Sequence, residues 1–336
     1  MRGVRRGRCG VIDATPFGGR TVFVTGASGI VGSWLVRSLI EASATVVALV
    51  RDEDPQSEFV RSGDERRVIR VHGSLAEMAV LERAIVQYEV SVVFHLGAQT
   101  QVRHAHSHPL ATLEANVRGT YNILEAVRRS GGSVGATVVA SSDKAYGDSA
   151  TLPYTESHPL AGRNIYDASK SAADLLAQAY ASSYSVPIGI ARCANTYGGG
   201  DLNWDRIVPG TIRSLLRGEQ PIIRSDGTLQ RDYIYVDDAA SGYLALAIAL
   251  LAGRECGEAF NFGSGEPISV LAMVDEIGRA IGRTDLPSRV QADAANEIQA
   301  QWLDVTKARS RLDWAPSFDL PTGLRRTVEW YKEALT

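Results

Sequence analysis

Thr21-Val22-Phe23-Val24-Thr25-Gly26-Ala27-Ser28-Gly29-Ile30-Val31-Gly32 is a β-branched apolar run ending in a glycine-rich turn, and a helical apolar period follows over Val31–Glu41. Glycines at 26, 29 and 32, spaced GxxGxxG, let the backbone turn tightly and approach a pyrophosphate, whose charge the N–H groups of a helix N-terminus stabilise. Strand, turn and helix in that order open a βαβ unit for a dinucleotide. Strand patterns recur at Val46–Val50, Val68–Val71, Val92–Leu96, Ala136–Ala140 and Ile188–Ala191, with helical periods over about 76–88, 110–130 and 165–184 between them.

Strands buried on both faces and separated by helices imply a parallel sheet with right-handed crossovers. The fold class is therefore α/β, a Rossmann-type doubly wound sheet, spanning residues 20–192. Glycines and prolines then cluster (Gly198-Gly199-Gly200, Pro209, Pro221, Gly227), and 193–336 reads mainly as a smaller α/β substrate-binding lobe, with a segment near 230–262 a candidate to rejoin the sheet. Residues 1–19 contain Arg2, Arg5, Arg6 and Arg8 without the apolar core of a secretory signal, and read as a disordered extension.

The 336 residues suit two domains, and 35 Lys+Arg against 38 Asp+Glu leave a net charge of −3, so no basic field favours nucleic acid or a membrane surface. The longest apolar run, Tyr243–Ala252, falls short of the ~20 residues that cross a bilayer. Cys9, Cys193 and Cys256 are odd in number, widely separated and without a CxxC pair, as expected of reduced thiols in a cytoplasmic protein. His104, His106 and His108 alternate, but no Cys or carboxylate accompanies them and Pro109 marks a loop, so no metal is expected.

Tyr166 and Lys170 lie four apart, on one helix face. An ammonium beside a phenol favours the phenolate, which makes a base for a sugar or alcohol hydroxyl. Ser142, at the end of the fifth strand, is placed to bond the same substrate oxygen, and Asp143 and Lys144 follow at the edge where reacting groups belong. At the end of the second strand Arg51 suits the 2′-phosphate of NADP, towards which the reading leans, while Asp52, one residue on, is the counter-argument and would suit NAD.

Together these residues resemble the extended short-chain dehydrogenases/reductases, in their nucleotide-sugar epimerase/dehydratase branch. The resemblance runs from about residue 11 through nearly the whole chain. It is carried by TGASGIVG, His95-Leu96-Gly97-Ala98-Gln99, Asn116-Val117-Arg118-Gly119-Thr120, Ser142 with Tyr166 and Lys170, and Arg231-Asp232-Tyr233-Ile234-Tyr235-Val236-Asp237-Asp238. Asp143-Lys144, Gly198-Gly199-Gly200-Asp201, Asp205-Arg206-Ile207-Val208-Pro209 and Leu303-Asp304-Val305-Thr306-Lys307-Ala308 look like the 4,6-dehydratases, with the CDP-glucose and GDP-mannose groups nearest. The chain departs from that pattern at Val31, where a lysine is usual, at Gly73-Ser74-Leu75, and at Gly97, where alanine is usual.

The resemblance implies a lyase that turns an NDP-hexose into an NDP-4-keto-6-deoxyhexose by C4 oxidation, loss of water across C5 and C6, and hydride return to C6. The alternative is a 4-epimerase of the same family. It assigns Tyr166, with Lys170 and Ser142, to the C4 proton, Lys144 in its neutral form to the C5 proton, with burial or a positive neighbour favouring that form, and Asp143 to protonation of the leaving hydroxyl. NAD or NADP would lie on Gly26, Ser28, Gly29, Ile30, Gly32, Arg51, Ser74, Leu75, Gly97, Ala98, Gln99, Asn116, Tyr166 and Lys170. Substrate would lie on Gln99, Arg103, Asn195, Arg206 and Arg231. A homodimer through the helices near 110–130 and 165–184 is also implied.

Overall fold

The chain is described by a computed structural model over residues 12–52, 54–292 and 298–335. The first half runs β1 (Thr21–Thr25), α1 (Ile30–Glu41), β2 (Thr45–Val50), α2 (Glu58–Arg61), β3 (Ile69–His72), α3 (Met78–Gln87), β4 (Val92–His95), α4 (Val102–Ser107), α5 (Pro109–Leu113), α6 (Gly119–Arg129), β5 (Ala136–Ser142), α7 (Ile165–Tyr184) and β6 (Ile188–Cys193). The second half holds β7 (Asn195–Tyr197), α8 (Ile207–Leu216), β8 (Ile222–Ile223), β9 (Gln230–Tyr235), α9 (Val236–Leu251), β10 (Ala259–Phe262), β11 (Pro267–Ser269), α10 (Val270–Ile281), β12 (Arg289–Val290), β13 (Ala300–Gln301), α11 (Thr306–Leu312) and α12 (Leu320–Leu335).

Seven parallel strands form one sheet in the order β10-β6-β5-β4-β1-β2-β3. The period of two along each strand sends alternate side chains to opposite faces. Val22, Val24, Val92, Phe94, Ala136 and Val138 face a core shared with α1 and α9. Phe23, Val47, Val93 and Val139 face a second core under α3, α6 and α7. Strand order reverses between β1 and β4, so a crevice opens at their carboxyl ends.

Two readings of the sequence change here. Residues 1–11 lie outside the described residues, but 12–19 are ordered: Thr15–Phe17 form a helical turn, and Phe17 is wholly buried with its ring 6.1 Å from that of Phe94. An aromatic able to fill the end of the first core is drawn into it whatever the charge of the residues before it. The loop expected at Pro109 is helical on both sides: residues 102–107 form α4 and Pro109 opens α5, which brings His104 and His108 together as stacked rings 4.5 Å apart. Among the described residues no cluster able to hold a metal is present, and no helix is long and apolar enough to cross a membrane.

The chain does not divide cleanly near residue 192. α9 lies against the sheet, β10 pairs with β6 as its edge strand, and Leu303, Val305, Ala308, Leu312 and Trp314 join the first core. The apolar run at 243–252 belongs to α9, buried along most of its length between the sheet and its neighbours. The smaller lobe consists of α8, α10 and α12 around β9, flanked by β11, β13 and β7. Trp34 Nε1 donates to the Gly199 carbonyl (2.9 Å) and Trp330 Nε1 to Glu58 (2.5 Å), fastening this lobe to α1 and α2.

Phe17→Ala is expected to lower the unfolding free energy by about 3–5 kcal/mol, as for other buried aromatics, read as an earlier midpoint in urea with unchanged slope.

Candidate active site

A cleft of about 1290 Å³ lies over the carboxyl ends of the sheet strands and under the smaller lobe. That exceeds the roughly 300–1,000 Å³ of a site for one drug-sized ligand, so two extended ligands fit end to end.

One end is shaped by the β1–α1 turn. Gly26 has φ +74°, and a Cβ there would stand 2.7 Å from the Gly97 nitrogen; at Gly32 it would overlap the Gly26 carbonyl. Only glycine allows β1, β4 and α1 to meet so closely. α1 begins at Gly29 without a side-chain cap, so its first N–H groups are left for a ligand. Gly26, Ser28, Gly29, Ile30, Gly32, Arg51, Ser74, Leu75, Gly97, Ala98, Tyr166 and Lys170 all line the cleft. The residues present thus fit a dinucleotide, the free N–H groups at the start of α1 suiting a pyrophosphate. Gly97 has its own reason: a Cβ would stand 2.9 Å from Leu75 Cδ1 and 3.1 Å from Thr25 Oγ1.

Gln99 is half-buried in the cleft wall, and Asn116 is buried beside it. Asn116 accepts from the Gln99 N–H (2.7 Å), donates to the Gln99 carbonyl (3.0 Å) and donates to Ser169 (2.9 Å), so it braces the wall from behind. Behind it lies a chain of fixed direction. Thr120 spends its hydroxyl proton on the Asn116 carbonyl (2.6 Å), so it accepts from His95 Nε2 (3.1 Å), and His95 Nδ1 accepts from Thr25 (2.8 Å). His95 is therefore the neutral Nε2–H tautomer, and burial, with help from the Lys170 charge, pushes its pKa down to about 3.

The reacting end is built on the helical turn Asp143–Tyr146 that follows β5. Ser142 caps that turn by accepting from the Lys144 N–H (3.2 Å) and donates to Asp143 Oδ1 (3.0 Å). Asp143 is 2% exposed, and its Oδ2 has no partner. Tyr166, from the first turn of α7, is buried and lines the cleft together with Ser142. Burial raises Tyr166 to about 12, and the cation that most opposes the rise is Arg206, not Lys170. The Lys170 ammonium donates to the Ala140 carbonyl (2.9 Å), and burial lowers its own pKa to about 8.

Asp143 and Lys144 do not form a surface pair. Lys144 Nζ donates to Gln301 Oε1, while Gln301 Nε2 donates to the Asp143 carbonyl (2.9 Å). Gln301, wholly buried on β13, was not foreseen, because a lone glutamine 157 residues away carries no local signal. The Lys144 charge acts on the Asp167 carboxylate, opposing the rise that burial causes there. Burial raises Asp167 to about 6 and leaves its Oδ1 without a partner.

Behind the turn, Arg192 grips Asp174 through Nε and Nη2, both at 2.9 Å, and Ser141 donates to the same carboxylate (2.6 Å).

At the mouth, Asp201 holds Arg206 (3.2 Å), and Asp205 holds Arg224 (2.8 Å) and Arg103 (3.5 Å). Asn195 lines the same wall and donates to the Asp232 carbonyl (3.1 Å). Arg224 was not singled out in the sequence, where it stands in no recognisable motif. Arg231 is not among the lining residues: it is 7% exposed, and its guanidinium donates to the carbonyls of Gln230 (2.8 Å) and Gln299 (3.5 Å). Asp232 and Asp238, from the same motif, bind the 263–265 and 317–318 loops instead.

The profile of the family described as NAD dependent epimerase/dehydratase matches residues 22–263. The CDP-glucose 4,6-dehydratase of Salmonella typhimurium is 32% identical over 96% of this chain and 93% of its own. Among solved structures, the dTDP-glucose 4,6-dehydratase of Streptomyces venezuelae with NAD and TYD bound superposes with TM-score 0.84 at 28% identity, over 93% of this chain and 97% of that one. The UDP-glucose 4-epimerase of Thermotoga maritima with UDP-glucose gives 0.85 at 26%, over 94% and 100%.

Because folded His95 stays neutral down to about pH 3 while the unfolded side chain protonates near its ordinary 6.5, acid favours unfolding across that window. Stability should fall by about 1.4 kcal/mol per pH unit from this group below pH 6.5. His95→Gln is expected to remove that slope in urea unfolding measured between pH 4 and 7 (about that range suffices), whatever its effect on the baseline.

Proposed function

The chain belongs to the NAD dependent epimerase/dehydratase family, and on that premise we propose that it converts an NDP-hexose to an NDP-4-keto-6-deoxyhexose as a 4,6-dehydratase. The observation that carries this over 4-epimerisation is the Asp143-Lys144 pair directly after Ser142 in the cleft. An epimerase needs no acid to expel the C6 hydroxyl, whereas Asp143 offers a buried carboxyl oxygen with no other partner. A dinucleotide held by Gly26, Ser28, Gly29, Ile30 and Lys170 would supply a reversible hydride acceptor for C4 and donor for C6. Tyr166, supported by Ser142, takes the C4 hydroxyl proton. The resulting ketone acidifies C5–H, which Lys144 removes in its neutral form; Asp167 can take up the proton that Lys144 sheds. Asp143 protonates the departing hydroxyl. Arg206, Arg103 and Arg224, with Asn195, would meet the diphosphate.

The resident cofactor reads as NAD. Arg51 alone suggests NADP, but its Nε pairs with Asp52 (2.5 Å), and the small cavity alongside is lined by Asp52, Asp54 and Glu65 against Arg70. Three carboxylates disfavour a 2′-phosphate, and Asp52 suits a ribose diol. Exposed Leu110, Tyr121, Leu175 and Tyr184 on α5, α6 and α7 support pairing of two copies. Cys193 and Cys256 are free thiols, in keeping with a reducing cytoplasm.

Incubated with CDP-glucose or GDP-mannose, the enzyme is expected to give a product lighter by one water in mass spectrometry; an unchanged mass would favour epimerisation. Asp143→Asn and Lys144→Ala should each slow water loss at least ~10²-fold, and full activity in both would remove their assigned roles. Asp52→Ala is expected to narrow the preference for NAD over NADP about tenfold, measured by titration with each dinucleotide.

A further inference from the structure

α9 presents one polar group for which the reaction has no use. Gly242 lets that helix come close to β10, since a Cβ there would stand 2.5 Å from Phe262 Cδ1, and the next residue, Tyr243, lays its ring on Phe262 with centroids 6.3 Å apart. The ring belongs to the core shared with α1 and the residue is 3% exposed, yet Tyr243 also lines the cleft. Among the described residues its hydroxyl has no hydrogen-bond partner. A buried phenol normally finds one. With the ring committed to the core, the cleft is the side open to a partner. Burial pushes the Tyr243 pKa well above its ordinary value, so the hydroxyl keeps its proton and can donate it.

Strand register identifies the part of the cleft concerned. Ser142 pairs with Cys193 across β5 and β6, and Cys193 with Phe262 across β6 and β10, so these residues form one row at the carboxyl ends of the sheet. Cys193 and Phe262 face the same core as Tyr243. The phenol thus lies beneath the row that ends in the reacting turn. The β1–α1 turn, which suits a pyrophosphate, has β2 with Asp52 beyond it on one side and β4, β5 and β6 on the other. A dinucleotide with its pyrophosphate on that turn and its adenosine ribose at Asp52 must carry its other half over β4, β5 and β6. Ile30, from the start of α1, and Cys193 and Ala194, at the end of β6, give that half an apolar surface. Such a surface suits the flat nicotinamide ring, whose one polar substituent is a carboxamide.

We infer that the Tyr243 hydroxyl donates to the nicotinamide carboxamide, which makes Tyr243 a binding residue for that half of the cofactor. The inference rests on the dinucleotide reading of the cleft and is independent of the choice between dehydration and epimerisation. A carboxamide oxygen accepts where the protonated phenol donates, so the pairing leaves neither buried group without a partner. By holding the ring's one polar substituent, Tyr243 also sets its rotation about the bond to the ribose. The same ring face is then kept towards the sugar while hydride leaves and returns.

The test is calorimetric titration of the full chain, freed of any resident dinucleotide, with NAD and with ADP-ribose, which lacks only the nicotinamide. Tyr243→Phe keeps the ring on Phe262 and is expected to weaken NAD binding about three- to tenfold, the effect of one hydrogen bond, while ADP-ribose binds as it does to the wild type. Unchanged ADP-ribose binding also shows that the variant has folded with its cleft intact. An NAD analogue whose pyridine ring lacks the carboxamide should bind wild type and variant alike. Unchanged NAD affinity in Tyr243→Phe, equal weakening of NAD and ADP-ribose, or an analogue that still discriminates the two proteins would each overturn the contact. A wild type that binds neither NAD nor ADP-ribose would instead overturn the dinucleotide reading itself.

Discussion

The approach of β1 to β4 at Gly26 and Gly97 is the constraint on which the site depends. These strands flank the point where the sheet's order reverses, and their carboxyl ends must come close for the crevice to have a floor. A side chain at Gly26 would push Gly97 away, and one at Gly97 would push Leu75 and Thr25. Thr25 also donates to His95 and accepts from the Gly97 N–H (3.0 Å), so the close approach is held by hydrogen bonds as well as permitted by absent atoms. The same chain of bonds reaches Asn116, Ser169 and so the base of Tyr166. The cofactor turn and the reacting turn are thereby parts of one braced wall.

The smaller lobe contributes more than a cover. Gln301 on β13 holds both the backbone of Asp143 and the ammonium of Lys144. Asn261 on β10 accepts from Tyr146 (2.7 Å) and donates to the Tyr154 carbonyl (2.9 Å). The reacting turn is therefore positioned from three distant parts of the chain. Its backbone cannot move without disturbing the lobe that holds the substrate's far end.

Much of this was legible beforehand, for reasons that can be named. Period-2 apolar strands and a 3.6-residue period in 165–184 report burial directly, and α7 falls on those residues. Ser142, Asp143, Lys144, Tyr166 and Lys170 converge because strand ends and a following helix turn bring them to one edge. What stayed hidden depends on contacts between residues far apart. Gln301 has no neighbours in sequence that mark it, and burial of Tyr166 outweighs a lysine four residues on. Arg231 sits in a readable motif, yet nothing in that motif marks the Gln230 carbonyl to which its guanidinium donates. A motif reports which residue types are present; only packing decides the direction in which they point.

The edge strand β10 carries a consequence for how the molecule is made. β6 ends at Cys193, but its outer hydrogen-bonding edge is paired only when Ala259–Phe262 arrive, and α9 covers the sheet just before them. A chain emerging from the ribosome must therefore carry an open parallel edge and a bare apolar face through more than sixty residues of synthesis, counted from Cys193 to Ala259. Such edges invite pairing with other chains. The catalytic half is consequently not an excisable unit: cut near residue 193, it would keep β6 as an open edge and should behave as a sticky fragment.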